Sequence, residues 1–249
     1  MIYNDWSKYP HYWRHGIYHP FAEYAGWVMN APRRLAAQRA TAADKERLAS
    51  KAGSYFLYPL QLATDFQLRA HSSFADARDA LSLVMRSFAA SGSQRRLAVV
   101  GHPLDEGLID WRRLVRETGD ARMIFLDGGV PDQLLANAAG VVTVNSTIGL
   151  SALRFGVPVK TLGGAIYDMA GLTHAGDLAG FWRDPTPPDA ALVADFVRAL
   201  IGATQVKGGF YARDAQDEAL AIFVERLENG LYPLPAPVML SCGGKPNSG

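Results

Sequence analysis

The sequence has a single cysteine, Cys242, in 249 residues, so there is no disulfide framework, no cysteine-based zinc site and no buried cysteine nucleophile. That thiol lies in a Gly/Pro/Ser-rich tail, and the usage fits a reducing, cytoplasmic setting. Charge of one sign is equally scarce. The 25 Lys and Arg offset 24 Asp and Glu to leave a net charge of +1, which supplies no field for holding a polyanion and excludes nucleic acid as the expected partner. No run approaches the roughly 18 apolar residues of a membrane span, and the first residues lack the basic-then-apolar signal pattern, so any membrane contact is expected to be peripheral. Three motifs are missing as well. Without GxGxxG after the first strand, GxxxxGK[ST] or GxSxG, the sequence disfavours a dinucleotide dehydrogenase, a P-loop phosphoryl transferase and a serine hydrolase.

What is present begins with aromatic residues. Tyr3, Trp6, Tyr9, Tyr12, Trp13, Tyr18, Phe21, Tyr24 and Trp27 crowd residues 1–30 with few aliphatic residues and no clean period, which reads as an N-terminal arm that packs on another surface or lies at a lipid interface. His11, His15 and His19 are spaced four apart, but Gly16 and Pro20 argue against the helix that would align them, and no metal is expected. The Ala-, Arg- and Glu-rich stretch 31–52 predicts a helix. Residues 1–52 are thus assigned to an arm and helix, 53–230 to the main domain, and the Pro-, Gly- and Ser-rich end, 231–249, to a disordered tail.

From residue 53 the pattern becomes regular. Apolar runs at 55–60, 97–100, 122–126, 141–144 and 158–162 read as buried strands, and amphipathic stretches at 74–90, 108–118, 131–138 and 148–155 read as the helices between them. Strand and helix alternating at this spacing predict an α/β fold, a Rossmann-like doubly wound parallel sheet with right-handed crossovers. Further helices are expected at 189–202 and 213–229.

In such a sheet, ligands bind beyond the carboxyl ends of the strands, which makes the residues following each run the candidate site. These are Gln61 and Asp65 after the first, His102 and Pro103 after the second, Asp127, Gly128 and Gly129 after the third, Asn145, Ser146 and Thr147 after the fourth, and Gly163, Tyr167 and Asp168 after the fifth. Asn, Ser and Thr at a helix start offer hydroxyls and backbone N–H groups at the positive end of the helix dipole, which suits either plain capping or a phosphate. His102 would add a hydrogen-bond donor to the same anion. An anion-binding Rossmann-like domain without dinucleotide or P-loop signatures is the profile of GT-B glycosyltransferases, which use nucleotide sugars.

The ordered set Tyr55-Phe-Leu-Tyr-Pro-Leu-Gln61, Asp65-Phe-Gln67, His71-Ser72, His102-Pro-Leu-Asp105, Val144-Asn-Ser-Thr147, Gly149-Leu150, Leu162-Gly163, Ala165-Ile-Tyr-Asp168, Gly171-Leu-Thr173 and Phe181-Trp182 resembles the capsule polysaccharide biosynthesis family, in particular its KpsS- and KpsC-like Kdo transferases. The resemblance implies that 53–230 is the C-terminal, donor-binding half of a GT-B enzyme, with residues 1–52 standing for a shortened N-terminal half. It implies CMP-Kdo as donor substrate, no other cofactor, and a lipid-linked saccharide or phospholipid acceptor at the inner face of the cytoplasmic membrane. Other capsule assembly and export proteins are implied partners. His102 and Pro103 resemble the family's HP pair, whose histidine faces the CMP phosphate, and Gln61 resembles a glutamine near the donor. His102 and Asp65 are the catalytic candidates. Gln61, His102, Pro103, Asn145, Ser146, Thr147, Gly163, Tyr167 and Asp168 are the donor-binding candidates. Two alternatives remain open: a non-catalytic saccharide-binding component of capsule assembly or export, and a transferase using a different nucleotide sugar.

Overall fold

The computed structural model describes residues 20–63, 65–105, 107, 109–206, 208 and 213–228. In chain order the elements are α1 (Pro20–Ala49), β1 (Tyr55–Pro59), α2 (Phe66–Ala70), α3 (Ala77–Ala90), β2 (Arg96–Val100), α4 (Trp111–Glu117), β3 (Met123–Leu126), α5 (Asp132–Ala136), β4 (Gly140–Thr143), α6 (Thr147–Arg154), β5 (Val159–Thr161), α7 (Leu178–Arg183), α8 (Ala190–Thr204) and α9 (Arg213–Glu228). Most of the aromatic arm, including His11, His15 and His19, and the tail from residue 231 lie outside the described residues.

The strands form one sheet in the order β3-β2-β1-β4-β5, and every pairing is parallel. The α/β doubly wound fold read from the sequence is therefore the fold observed. β1 is central and buried at all five positions, which explains why it reads as an unbroken apolar run. Phe56 and Tyr58 face a layer that includes α3 and α7, while the Tyr55 hydroxyl, on the other face, donates to the Leu134 carbonyl of α5 at 2.6 Å. On α3 the residues Ala77, Ala80, Leu81, Val84 and Phe88 are all buried, the three-and-four spacing of an amphipathic helix laid on a sheet. An aromatic knot of Phe56, Phe88, Phe181 and Trp182 fixes α3 and α7 over β1.

The sequence placed the first helix at 31–52, whereas α1 starts at Pro20 and runs through Pro32. Proline is well accommodated at a helix's first turn, and a period blurred by aromatic residues concealed the extension. Two short helices had no counterpart in the sequence reading. α2 and α7 are set by the caps Asp65 and Asp177, whose carboxylates accept from Gln67 N and Gly180 N, and they are too short to show a period.

The chain divides into two compact units, residues 1–194 and 195–249. In the second, the Arg226 guanidinium of α9 donates to the carbonyls of Gly202 and Gln205. The first holds the whole sheet and every candidate site residue. No helix among the described residues is long and apolar enough to cross a membrane.

Candidate functional site

In the order 3-2-1-4-5 the chain winds outward in one direction from β1 and then returns to wind outward in the other from β4. The crevice at such a switch lies between the carboxyl ends of the two inner strands. β1 ends into Gln61 and β4 ends into Asn145, and these two side chains meet across the crevice. Gln61 Nε2 donates to Asn145 Oδ1 at 2.8 Å and to Asp65 Oδ2 at 3.2 Å, and Gln61 Oε1 accepts from Asn145 N at 3.3 Å. Asn145 Nδ2 donates to the Gln67 carbonyl at 2.9 Å and to that of His71 at 3.4 Å. The amide N–H of Asn145 can only donate and the two carbonyls can only accept, so both side-chain amides have a defined orientation. Gln61 is 8% exposed and its amide is engaged within the protein, so its part in the site is to tie Asp65 to Asn145.

Asp65 caps α2 through its Oδ1, which accepts from Gln67 N at 2.9 Å. With Oδ2 taking the Gln61 bond, the carboxylate is held as an acceptor at the rim of the crevice. It also acts electrostatically on His102, at the end of the neighbouring strand β2. The strand order thus brings Gln61, Asp65, Asn145 and His102 to one place although they come from three separate stretches of chain.

His102 is half-buried. Its Nδ1 accepts from Leu104 N at 3.1 Å. Burial holds its pKa below the ordinary histidine value, against the pull of Asp105 and Asp65. The adjacent Pro103 rests on the β3 exit, where a Cβ at Gly129 would come 3.4 Å from the proline ring. Gly129 N donates to the Gly101 carbonyl at 2.9 Å, and Lys45 of α1 donates to the Gly129 carbonyl at 2.8 Å. The β3 exit therefore supports the His102 turn from below, with Asp127 ion-paired to Arg112.

At the β4 exit, Ser146 N donates to Thr143 Oγ1 at 3.2 Å, and the Ser146 hydroxyl accepts from Ile148 N at 3.3 Å as the N-cap of α6. The capping function expected of this residue type is thus realised, and the exposed Thr147 is left at the helix start. Behind the loop, the Tyr167 hydroxyl donates to the Ser146 carbonyl. Tyr167 is 2% exposed and burial pushes its pKa up, so it remains a proton donor and acts on the loop from behind instead of lining the crevice. A Cβ at Gly149 would lie 2.2 Å from the Tyr167 oxygen. A glycine inside a helix commonly signals such close packing, and that was the signal for a contact the sequence reading did not single out.

Gly163 closes the β5 side. A Cβ there would meet the Ser72 Cβ at 2.8 Å, a Val144 methyl at 2.9 Å and the His71 carbonyl at 3.0 Å, and Gly164 N donates to that same carbonyl at 2.8 Å. Asp168 is exposed and accepts from the Thr173 hydroxyl at 2.7 Å. Among the described residues no group of three or more His, Cys, Asp or Glu could hold a metal ion.

A second histidine, unremarked in the sequence, is more deeply buried. His174 Nδ1 lies 3.0 Å from Thr186 Oγ1, and its Nε2 has no hydrogen-bond partner among the described residues. Burial and then Lys160 lower its pKa, against Asp177 and Asp184. Both His102 and His174 therefore bind fewer protons folded than unfolded as pH falls through the ordinary value of about 6.5. Their stabilising contribution is present above that pH and is lost on acidification below it. Urea denaturation between pH 7.5 and 5.5 is expected to show stability falling with pH, with a shallower slope in H174N; a rise on acidification would contradict the assignment.

The family profile described as "Capsule polysaccharide biosynthesis protein" matches residues 2–211. The capsule polysaccharide modification protein LipB of Neisseria meningitidis serogroup A is 34% identical over 220 residues, which is 85% of this chain and 52% of LipB. The capsule polysaccharide export protein KpsS of Escherichia coli is 35% identical over 211 residues, 82% of this chain and 54% of KpsS. The chain spans about half the length of these relatives. Among solved structures, a GtfA/B complex aligns with a TM-score of 0.36 at 15% identity, over 72% of this chain and 33% of that one, a likeness that adds nothing to what the sheet order itself establishes. On the profile and the two relatives together, the chain belongs to the capsule polysaccharide biosynthesis family.

Proposed function

We propose that this chain is the donor-binding half of a capsule glycosyltransferase of GT-B type, which binds CMP-Kdo and takes part in transferring Kdo to a lipid-linked acceptor at the inner face of the cytoplasmic membrane. The observation that carries the reading is the meeting of His102, Asp65 and Asn145–Thr147 at the switch point of the sheet, in a member of a capsule family. His102 Nε2 and the start of α6 supply hydrogen-bond donors for a phosphate, while Asp65 and Asp168 offer acceptors for sugar hydroxyls. Kdo as the sugar and cytidine as the base come from the family resemblance, since the anion-binding groups select phosphate alone.

In the reaction, the bond from the anomeric carbon to the phosphate oxygen breaks and its electron pair passes to that oxygen. The acceptor hydroxyl oxygen bonds to the carbon, and its proton is released to solvent. Donors aimed at the phosphate hold it more tightly as negative charge grows, which is selective stabilisation of the transition state.

A ligand that binds only the folded state stabilises it by about 2.7 kcal/mol at one hundred times its dissociation constant. CMP is accordingly expected to raise the melting temperature, and H102A to abolish that rise while leaving the unliganded melting temperature nearly unchanged. Full protection of H102A by CMP would overturn the site. CMP release from CMP-Kdo with a lysophospholipid acceptor then measures transfer directly. CMP binding without turnover would favour the second reading, a saccharide-binding component of capsule assembly or export, towards which the relatives' names "export" and "modification" point.

A further inference from the structure

The protonation state of His102 is written into the turn that follows it. Leu104 N–H points at Nδ1 with a separation of 3.1 Å, and a backbone amide can only donate. Nδ1 must then present its lone pair, which leaves the ring proton on Nε2. The turn that aims the amide is itself fastened: Asp105 N donates to the His102 carbonyl at 3.0 Å, and Pro103 between them packs against Gly129. We propose that His102 meets the donor's phosphate as a neutral Nε2–H hydrogen-bond donor and transfers no proton in the reaction. This rests on the donor-site reading above and fixes the role of its central residue.

Two roles were chemically open to this histidine, and the geometry separates them. A general acid working near neutral pH must be the imidazolium, because a neutral ring that gave up its N–H would become an imidazolate. The imidazolium carries hydrogens on both nitrogens, and a hydrogen on Nδ1 would be driven against the Leu104 N–H. Protonation therefore loses one hydrogen bond and sets two donors head to head. The charges facing the ring are Asp65, from the segment after β1, and Asp105, from its own loop. Both favour the imidazolium, and burial outweighs them.

The leaving group does not need the proton. A phosphate monoester has its second pKa near 6, so the departing nucleotide is stable as the anion at neutral pH. What lowers the barrier is an N–H whose hydrogen bond strengthens as charge builds on the oxygen. A neutral donor also keeps its proton when the product leaves, so the site is ready for the next substrate without reprotonation.

Long-range 1H–15N correlation on the full chain labelled at histidine, with the His102 signal assigned by its loss in H102Q, reads the state directly. At pH 7.5 His102 is expected to be neutral and protonated at Nε2, both alone and with CMP. A proton on Nδ1, or on both nitrogens in the CMP complex, would overturn the proposal. Substitution supplies a second readout. The side-chain amide of H102Q reaches the position of Nε2 and donates but cannot shuttle a proton, whereas that of H102N reaches only the position of Nδ1. H102Q is expected to bind CMP within about fivefold of the native chain, and H102N to lose roughly 10- to 100-fold, the range of a hydrogen bond to a charged group. Melting temperatures of both variants without ligand check that each is folded. If H102Q turned over CMP-Kdo no better than H102A while binding CMP normally, proton transfer would be required and the proposal would fail. If the native chain bound no CMP at all, the donor-site reading would fall instead, and the correlation spectrum would still decide the tautomer.

Discussion

Replacing Trp182 with alanine is expected to lower the unfolding free energy by about 3–5 kcal/mol, as for other large aromatic truncations in a packed core. Trp182 is 1% exposed, with its ring centroid 5.0 Å from Phe56, 5.3 Å from Phe88 and 5.7 Å from Phe181. The crossings with Phe56 and Phe88 are edge-on, at 76° and 84°, the arrangement that adds attraction beyond the area buried. Its Nε1 donates to Ser87 Oγ at 2.9 Å, so truncation also removes the partner of a half-buried hydroxyl. A loss of this size is a large part of the 5–15 kcal/mol by which such domains are stable. Urea denaturation is the measurement, with an unchanged m-value showing that stability moved and the transition did not. W182F should lose much less, since most of the ring contact survives and only the Ser87 bond goes. A change below about 1 kcal/mol in W182A would mean that α7 does not sit on the sheet as described. The consequence reaches the site, because α7 ends the loop that carries Gly163, Tyr167 and Asp168.

The second large effect is expected at Gly149. An alanine methyl would lie 2.2 Å from the Tyr167 oxygen and 2.6 Å from Cζ, inside any tolerable contact, and because the ring is rigid and enclosed it can make room only at a cost in packing. The ring must shift, and its hydroxyl then leaves the Ser146 carbonyl. Overpacking costs about 1–3 kcal/mol and an unsatisfied buried polar group a further 1–3, so G149A should lose about 3 kcal/mol and weaken protection by CMP. The diagnostic is the double variant. Y167A alone opens a cavity, and in G149A/Y167A the added methyl has room, so the pair should be less damaging than the sum of the singles by at least about 1 kcal/mol. Strict additivity would show that the two residues do not touch. Y167F complements this by removing the Ser146 bond while keeping the ring, and it tests how far that bond alone orders the β4 exit.

Much of the fold was legible because its signals are local. Buried parallel strands are short unbroken apolar runs, and the five found in the sequence are the five in the sheet, with ends shifted by a residue or so. α3 announced itself by the spacing of Ala80, Leu81, Val84 and Phe88. α2 and α7 did not, because helices of five or six residues are set by their caps and by what they pack on. For the candidate residues, only their positions along the chain were legible. That candidate residues follow the strands could be read from the sequence, since each exit has its own composition. That Gln61 is engaged with Asp65 and Asn145, and that Tyr167 works from behind Ser146, could not.

The sequence by itself determined the parallel α/β architecture, the cap at Ser146 and the family, since each rests on residues close together in the chain or on their order along it. Only the tertiary structure decided which strand exits meet and what state their side chains take. β4 returns beside β1, and this places Asn145 against Gln61 across 84 residues of chain. The tautomer of His102 depends on the direction of one backbone N–H, which the turn through Pro103 sets and its packing on Gly129 holds. Hydrogen-bond partners follow from position in space, and in a doubly wound sheet that position follows from strand order, which no local pattern records.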